Sequence, residues 1–254
     1  MRIVLILVLC FNFLLSAEYI ETSSYMSTSS LGNDDFEKEF NNPKEDNLFD
    51  PLSGYNTIMT TVNDKFYEYL LKPTAQGYAY VVPQNARSGI GNFFDNLFFP
   101  IRFVNNLLQF KIQNSVDELE RFVINSTMGI AGFADVAYST FNIKEHNEDF
   151  GQTLGFYGVG SGFHVVLPLF GSSNLRDIAG IAADAWVNPL NYIAARDVNL
   201  LKDNEQSLYI TGFSMINKTS LHIEEYDNFK KDAIELYPYL RSFYEARRNK
   251  LISE

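Results

Sequence analysis

The chain has 254 residues, with 31 acidic against 20 basic side chains and a formal net charge of −11. This balance makes nucleic acid a poor partner and disfavours electrostatic adhesion to anionic lipid, so any membrane contact must be hydrophobic. Cys10 is the one cysteine, which leaves no disulfide and no cysteine-based metal site.

Residues 1–17 read as an export signal. Arg2 supplies the positive start, Ile3 to Leu15 the apolar core, and Ser16-Ala17 the small residues of a cleavage site. Lipid attachment at Cys10 would want a small residue before it, and Leu9 stands there, so an ordinary cleaved signal is the preferred reading. Residues 18–49 read as an acidic flexible linker, rich in Ser, Thr, Asn and acids, with too little apolar surface to fold alone.

The folded part, residues 50–254, starts near Asp50-Pro51. From Asn56 to Leu71, Ile58, Val62, Phe66, Tyr69 and Leu70 share one helical face, and Lys72-Pro73 is expected to stop the helix. Phe93 to Ile112 predicts two helices meeting at Pro100. Their apolar residues surround much of each helix, which suits a core or a lipid-facing position. Ser115 to Val123 predicts an amphipathic helix with Val116, Leu119, Phe122 and Val123 on its apolar side. Asn125 to Tyr138 and Ile178 to Trp186 are rich in Gly and Ala, a composition that lets backbones approach closely.

Between them, Phe150 to Leu175 runs for 26 residues without Asp, Glu, Lys or Arg and ends at Arg176-Asp177. Its six glycines and Pro168 would break a single spanning helix. Arg176 and Asp177 are candidates for a structural ion pair, because a carboxylate near an apolar run is costly unless paired. Ser220 to Leu236 and Pro238 to Leu251 predict two C-terminal helices within residues 218–254. Few segments alternate with period two, so the chain reads as mainly α.

No catalytic constellation emerges. His146, His164 and His222 have no metal-ligand spacing. Ser161 lies in Val159-Gly160-Ser161-Gly162-Phe163, which misses the nucleophile-elbow pattern. Ser161 with His164 is the one pairing that would suit hydrolysis, and a packed His164 is the preferred alternative. Neither a cofactor nor a metal is expected.

Several motifs, in order, resemble the MlaA/VacJ family. The stretch Asp50-Pro51-Leu52-Ser53-Gly54-Tyr55-Asn56 is similar to its opening signature. Arg87, Asn92-Phe93, Asn96-Leu97, Pro100 and Val104-Asn105 follow in the family's order. So do Arg121-Phe122, Asn125-Ser126-Thr127 and the stretch from Gly129 to Ala137. Tyr157-Gly158-Val159-Gly160-Ser161-Gly162 and Leu175-Arg176-Asp177 continue the likeness.

The resemblance implies a single ring-shaped helical domain lying in one leaflet, at the periplasmic face of the outer membrane. It implies retrograde phospholipid transport that maintains lipid asymmetry, through a polar channel. Implied partners are phospholipid, a trimeric porin and a periplasmic lipid shuttle protein of the Mla type. A structural protein that packs on porin without passing lipid is the alternative. Candidate channel residues are Asn92, Asn96, Asn105, Gln109, Asn125, Asp135, Asp184 and Asn188. Candidate membrane-facing residues are Phe93, Phe94, Phe98, Phe99 and Phe103. The sequence departs from the family at its anchor, because Cys10 sits in a poor context for lipidation.

Overall fold

The computed structural model describes residues 50–190 and 204–254. The predicted export signal and acidic linker lie outside the described residues.

Helix α1 (Ser53–Phe66) runs into a π-helical turn, Tyr67–Leu71, and then into α2 (Lys72–Val81). The expected stop at Lys72-Pro73 does not occur, since Lys72 keeps helical angles (φ −60°, ψ −51°). In a regular α-helix the Pro73 ring would meet the Tyr69 carbonyl. The wider π turn lies directly before that position and accommodates the proline.

Helix α3 (Gln84–Leu97) and α4 (Phe99–Leu108) meet at Phe98, with Pro100 in the first turn of α4. Helix α5 (Ile112–Thr127) packs along α4, and a loop leads to the short α6 (Val136–Phe141). In the charge-free run, α7 (Phe150–Phe156) is followed by an antiparallel hairpin. Strand β1 (His164–Leu167) pairs with β2 (Gly171–Asn174), His164 opposite Asn174 and Leu167 opposite Gly171. Helix α8 (Leu175–Asp184) lies against α7.

The C-terminal part holds α9 (Asn204–Leu221), α10 (Ile223–Asp232) and α11 (Leu236–Ser253). The helix expected from Ser220 to Leu236 is divided at His222, and Ser220 belongs to the helix before it. The fold is mainly α, as the patterning predicts. Among the described residues no helix is long and apolar enough to cross a membrane.

Burial is inverted relative to a protein that meets water on all sides. Among the described residues, 29 buried side chains are polar or charged and 13 are apolar. Helix α1 buries Asn56, Thr60 and Asp64 while Ile58 is 60% exposed and Val62 45%. Helix α5 buries Ser115, Glu118, Arg121 and Asn125 while Val116, Leu119 and Val123 stand outside. The predicted apolar stripes exist, and most of their residues face outward; Phe66 and Phe122 are half-buried.

One apolar cluster interrupts this pattern. Phe94, Phe98, Ile101 and Leu190 are buried together, flanked by Ile90, Phe93, Leu97, Val187 and Ile210. Phe94 and Phe98 therefore do not face a membrane. They lie on the side of α3 and of the α3–α4 junction that turns into this cluster. Phe93, Phe99 and Phe103 are half-buried. Phe93 stacks on Phe133, and Phe99 on Phe122.

Candidate functional site

Two asparagines fix the hairpin to α1, Asn56 buried and Asn63 half-buried. Asn56 Oδ1 accepts from the Val166 amide at 2.8 Å, and its Nδ2 donates to the His164 carbonyl and the Tyr237 hydroxyl oxygen, each at 3.0 Å. Two turns later Asn63 donates to the Leu167 carbonyl at 2.8 Å and accepts from the Leu169 amide at 2.7 Å. A spacing of seven puts both side chains on one helical face. Leu169 has a φ of +70° in the hairpin turn, and the Asn63 bond holds that strained position.

An apolar cavity of about 190 Å³ opens between α1, the hairpin and the C-terminal helices. Phe66 and Leu71 form one wall, Val166, Leu169 and Phe170 the second, and Met215, Phe229, Leu240 and Phe243 the third. Its polar edge is supplied by Thr60, Asn63, Thr219 and Glu225. At the same edge Tyr226 donates to Asp64, which also accepts from Lys230 at 2.8 Å. Burial foremost pushes the Tyr67 hydroxyl up to about 12, with Asp227 adding to it.

A second cavity, of about 120 Å³, is polar. Asn92, Asp95, Asn96 and Arg102 line it from α3 and α4, and Arg121, Phe122 and Asn125 from α5. Asp135 and Glu145 complete it. Arg102 Nε donates to the fully buried Glu118 at 2.7 Å, and Glu118 also accepts the His146 amide at 2.6 Å. Arg121 donates to Asp135 at 2.9 Å and to the Ile143 carbonyl at 2.6 Å. Asp135 also caps α6 by accepting from the Tyr138 amide. Gly132 has a φ of +93°, and a Cβ there would stand 2.7 Å from the Asn96 side chain. The loop thus presses its backbone onto the cavity wall.

The eight channel candidates divide accordingly. Asn92, Asn96, Asn125 and Asp135 border the polar cavity. Asn105, Gln109, Asp184 and Asn188 line neither cavity; they are buried and hydrogen-bonded. Asn105 donates to Asp184 at 2.7 Å and accepts from the Thr153 hydroxyl at 2.9 Å. Gln109 donates to Glu148 at 2.7 Å, and Asn188 accepts from the Leu190 amide at 3.0 Å. Their polarity satisfies an interior, and sequence position alone does not separate that role from lining a passage.

Beside them lies a buried ionic network. Arg248 donates to both oxygens of Asp149, at 2.5 and 2.8 Å, and to Asp177 at 2.9 Å. Asp177 also accepts from Arg176 at 3.0 Å and from the Tyr244 hydroxyl at 2.7 Å. Burial alone would raise the Asp149 carboxyl, but the charge and hydrogen bonds of Arg248 hold it below the usual range. Among the described residues, Asp184 accepts from two neutral donors, Asn105 and the Phe150 amide. Burial foremost, with Asp149 next, pushes its carboxyl up to about 8.

Ser161 donates to the Gly162 carbonyl, whereas His164 pairs with Glu245 at 3.2 Å and its Nε2 is buried without a partner. No relay from serine to histidine is assembled.

A model of the MlaA lipoprotein family matches residues 48–251. The chain belongs to this family. It is 40% identical over 147 residues to the intermembrane phospholipid transport system lipoprotein MlaA of Shigella flexneri, covering 57% of this chain and 59% of that one. It is 31% identical over 208 residues to an uncharacterized protein of Rickettsia typhi, covering 79% and 77%. A solved chain from work on the structural basis of bacterial outer membrane lipid asymmetry superposes with a TM-score of 0.67. That pair is 30% identical and covers 80% of this chain and 99% of the other. The MlaA match begins two residues before Asp50 and takes in both cavities.

Proposed function

We propose that the protein acts in retrograde phospholipid transport, removing phospholipid that has strayed into the outer leaflet of the outer membrane. The inverted burial carries this reading. A ring whose outward faces are Ile58, Val62, Val116, Leu119 and Val123 suits the acyl region of a leaflet, while its polar interior suits a headgroup. The MlaA relatives, named for intermembrane phospholipid transport, support it.

Physical cost favours a sheltered path. Burying lipid tails is worth roughly 0.8 kcal/mol per methylene, so about 30 methylenes amount to about 25 kcal/mol. A charged headgroup in hydrocarbon is costly too. On this reading the apolar cavity shelters tail segments next to the hairpin while polar walls serve the headgroup. The step needs no covalent chemistry. The ring resides in the inner leaflet, with a trimeric porin beside it and a periplasmic shuttle receiving the lipid.

Deleting the gene is expected to raise outer-leaflet phospholipid and detergent sensitivity. An unchanged outer leaflet together with altered porin complexes would support the alternative, a structural porin-binding role without transport.

A further inference from the structure

We infer that the polar cavity between α3, α4 and α5 binds a headgroup carrying both a phosphate and an ammonium. The inference deepens the transport reading and rests on phospholipid being the cargo.

Three observations carry it. First, the wall holds both signs of charge. Arg102 and Arg121 face Asp95, Asp135 and Glu145, so the lining sums to 2 − 3 = −1. A wall of that kind disfavours an anion with no cation of its own and suits a ligand with one charge of each sign. Second, Arg121 lines the cavity, its side chain is 7% exposed, and its buried Nε–H has no hydrogen-bond partner. An unpaired buried donor on a guanidinium is costly, and a phosphate oxygen is the acceptor that a guanidinium matches best. Third, the surroundings are apolar and exposed. Val123, Met128, Ile130 and Phe133 stand outward on α5 and on the loop that closes the cavity. A polar recess set in an apolar surface complements an amphiphile, whose tails lie along the outside while the headgroup enters. Glu145 lines the cavity, is 27% exposed and lies 3.4 Å from Arg102; with Asp135 held by Arg121, it is the carboxylate proposed to meet the ammonium.

The test uses the full chain purified in a nonionic detergent. Short-chain phosphatidylethanolamine and phosphatidylglycerol of equal chain length are titrated by calorimetry, with free phosphoethanolamine and inorganic phosphate as competitors. Phosphatidylethanolamine is expected to bind more tightly, and phosphoethanolamine to compete where inorganic phosphate does not. Arg121→Lys should weaken both lipids about tenfold, the loss of a charge-assisted hydrogen bond. Glu145→Gln, at a partly exposed position, should weaken phosphatidylethanolamine several-fold and leave phosphatidylglycerol unchanged. Equal binding of the two lipids, indifference to both substitutions in folded protein, or competition by inorganic phosphate alone would overturn the two-charge site while leaving transport intact. Failure of the unaltered protein to bind either lipid would instead overturn the transport reading beneath it.

Discussion

Gly180 lies against Gly151 so closely that a Cβ at position 180 would stand 2.3 Å from the Gly151 backbone nitrogen. Helices α7 and α8 thus meet backbone to backbone, and this contact brings Asp149, Asp177 and Asp184 within reach of one another. A Cβ on Gly151 would itself fall 2.4 Å from Asp177 Oδ1 and 2.7 Å from Arg248. Gly180→Ala is therefore expected to destabilise the protein by about 1–3 kcal/mol through overpacking. Gly77→Ala is the control. Nothing lies within 4 Å of a Cβ there, and alanine in the interior of α2 should stabilise by about 1 kcal/mol. Thermal unfolding in detergent compares the two.

Arg248 is bonded to both Asp149 and Asp177, and all three are buried. Removing it leaves buried carboxylates short of a partner. Arg248→Met is expected to cost about 3–5 kcal/mol, read as a lower unfolding midpoint. The further change Asp149→Asn should recover part of that loss, since it removes one stranded charge. No recovery would show that the pair is not the source of the cost.

Asp184 gives stability a pH dependence. Its folded value of about 8 lies above the unfolded value near 4. The folded state therefore holds a proton that the unfolded state releases, and stability is fully present below the unfolded value. It is lost as pH rises toward 8, with a slope of up to about 1.4 kcal/mol per pH unit from this group. Unfolding midpoints measured from pH 5 to 9 should fall up to about pH 8 and level off above it. Asp184→Asn should flatten that fall, and a slope equal to that of the unaltered protein would reject the assignment.

The outward stripe of α5 offers a separate test of membrane contact. Val116 and Val123 are exposed, so Val116→Glu with Val123→Glu should leave the unfolding midpoint nearly unchanged. Each valine removed from lipid forfeits up to about 1.5 kcal/mol of apolar burial, and each added carboxylate resists entry. Flotation with phospholipid vesicles should therefore drop at least tenfold. Unaltered flotation would mean that another face meets the bilayer.

Helical periodicity was legible, and its direction was not. Spacing showed that Ile58 and Val62 share a face, and likewise Val116, Leu119 and Val123. Periodicity is the same whether that face meets a core, lipid or a partner, so it does not mark the buried asparagines opposite as the interior. Asn56 and Asn63 share a spacing of seven, but nothing in sequence marks them as the hairpin's anchors. The hairpin is not legible for a local reason: each strand has four residues, and Gly171-Ser172-Ser173-Asn174 shows no apolar alternation. Arg176-Asp177 was visible as an adjacent pair, but Arg248, 71 positions beyond Asp177, reaches it only through tertiary structure. In the polar cavity, Asn92, Asn96, Asn125 and Asp135 stood out as polar residues beside apolar ones. Asp95, Arg102 and Glu145 come to the same cavity from separate elements, and only tertiary structure brings them together with Arg121.

The exchange of inside and outside also changes which positions tolerate substitution. In a protein surrounded by water the interior accepts one apolar residue for another of similar volume, and the surface accepts nearly any polar one. If the outward faces meet a leaflet, as proposed, the outer positions need only remain greasy, and Ile58 or Val123 can become leucine or phenylalanine at small cost. The interior is held by directional bonds, and Asn56, Asn63 and Asn105 each donate and accept at fixed distances. Aspartate at these sites loses the donor, and glutamine moves both groups out of register. Exchanges usually graded as mild would be the damaging ones in this chain.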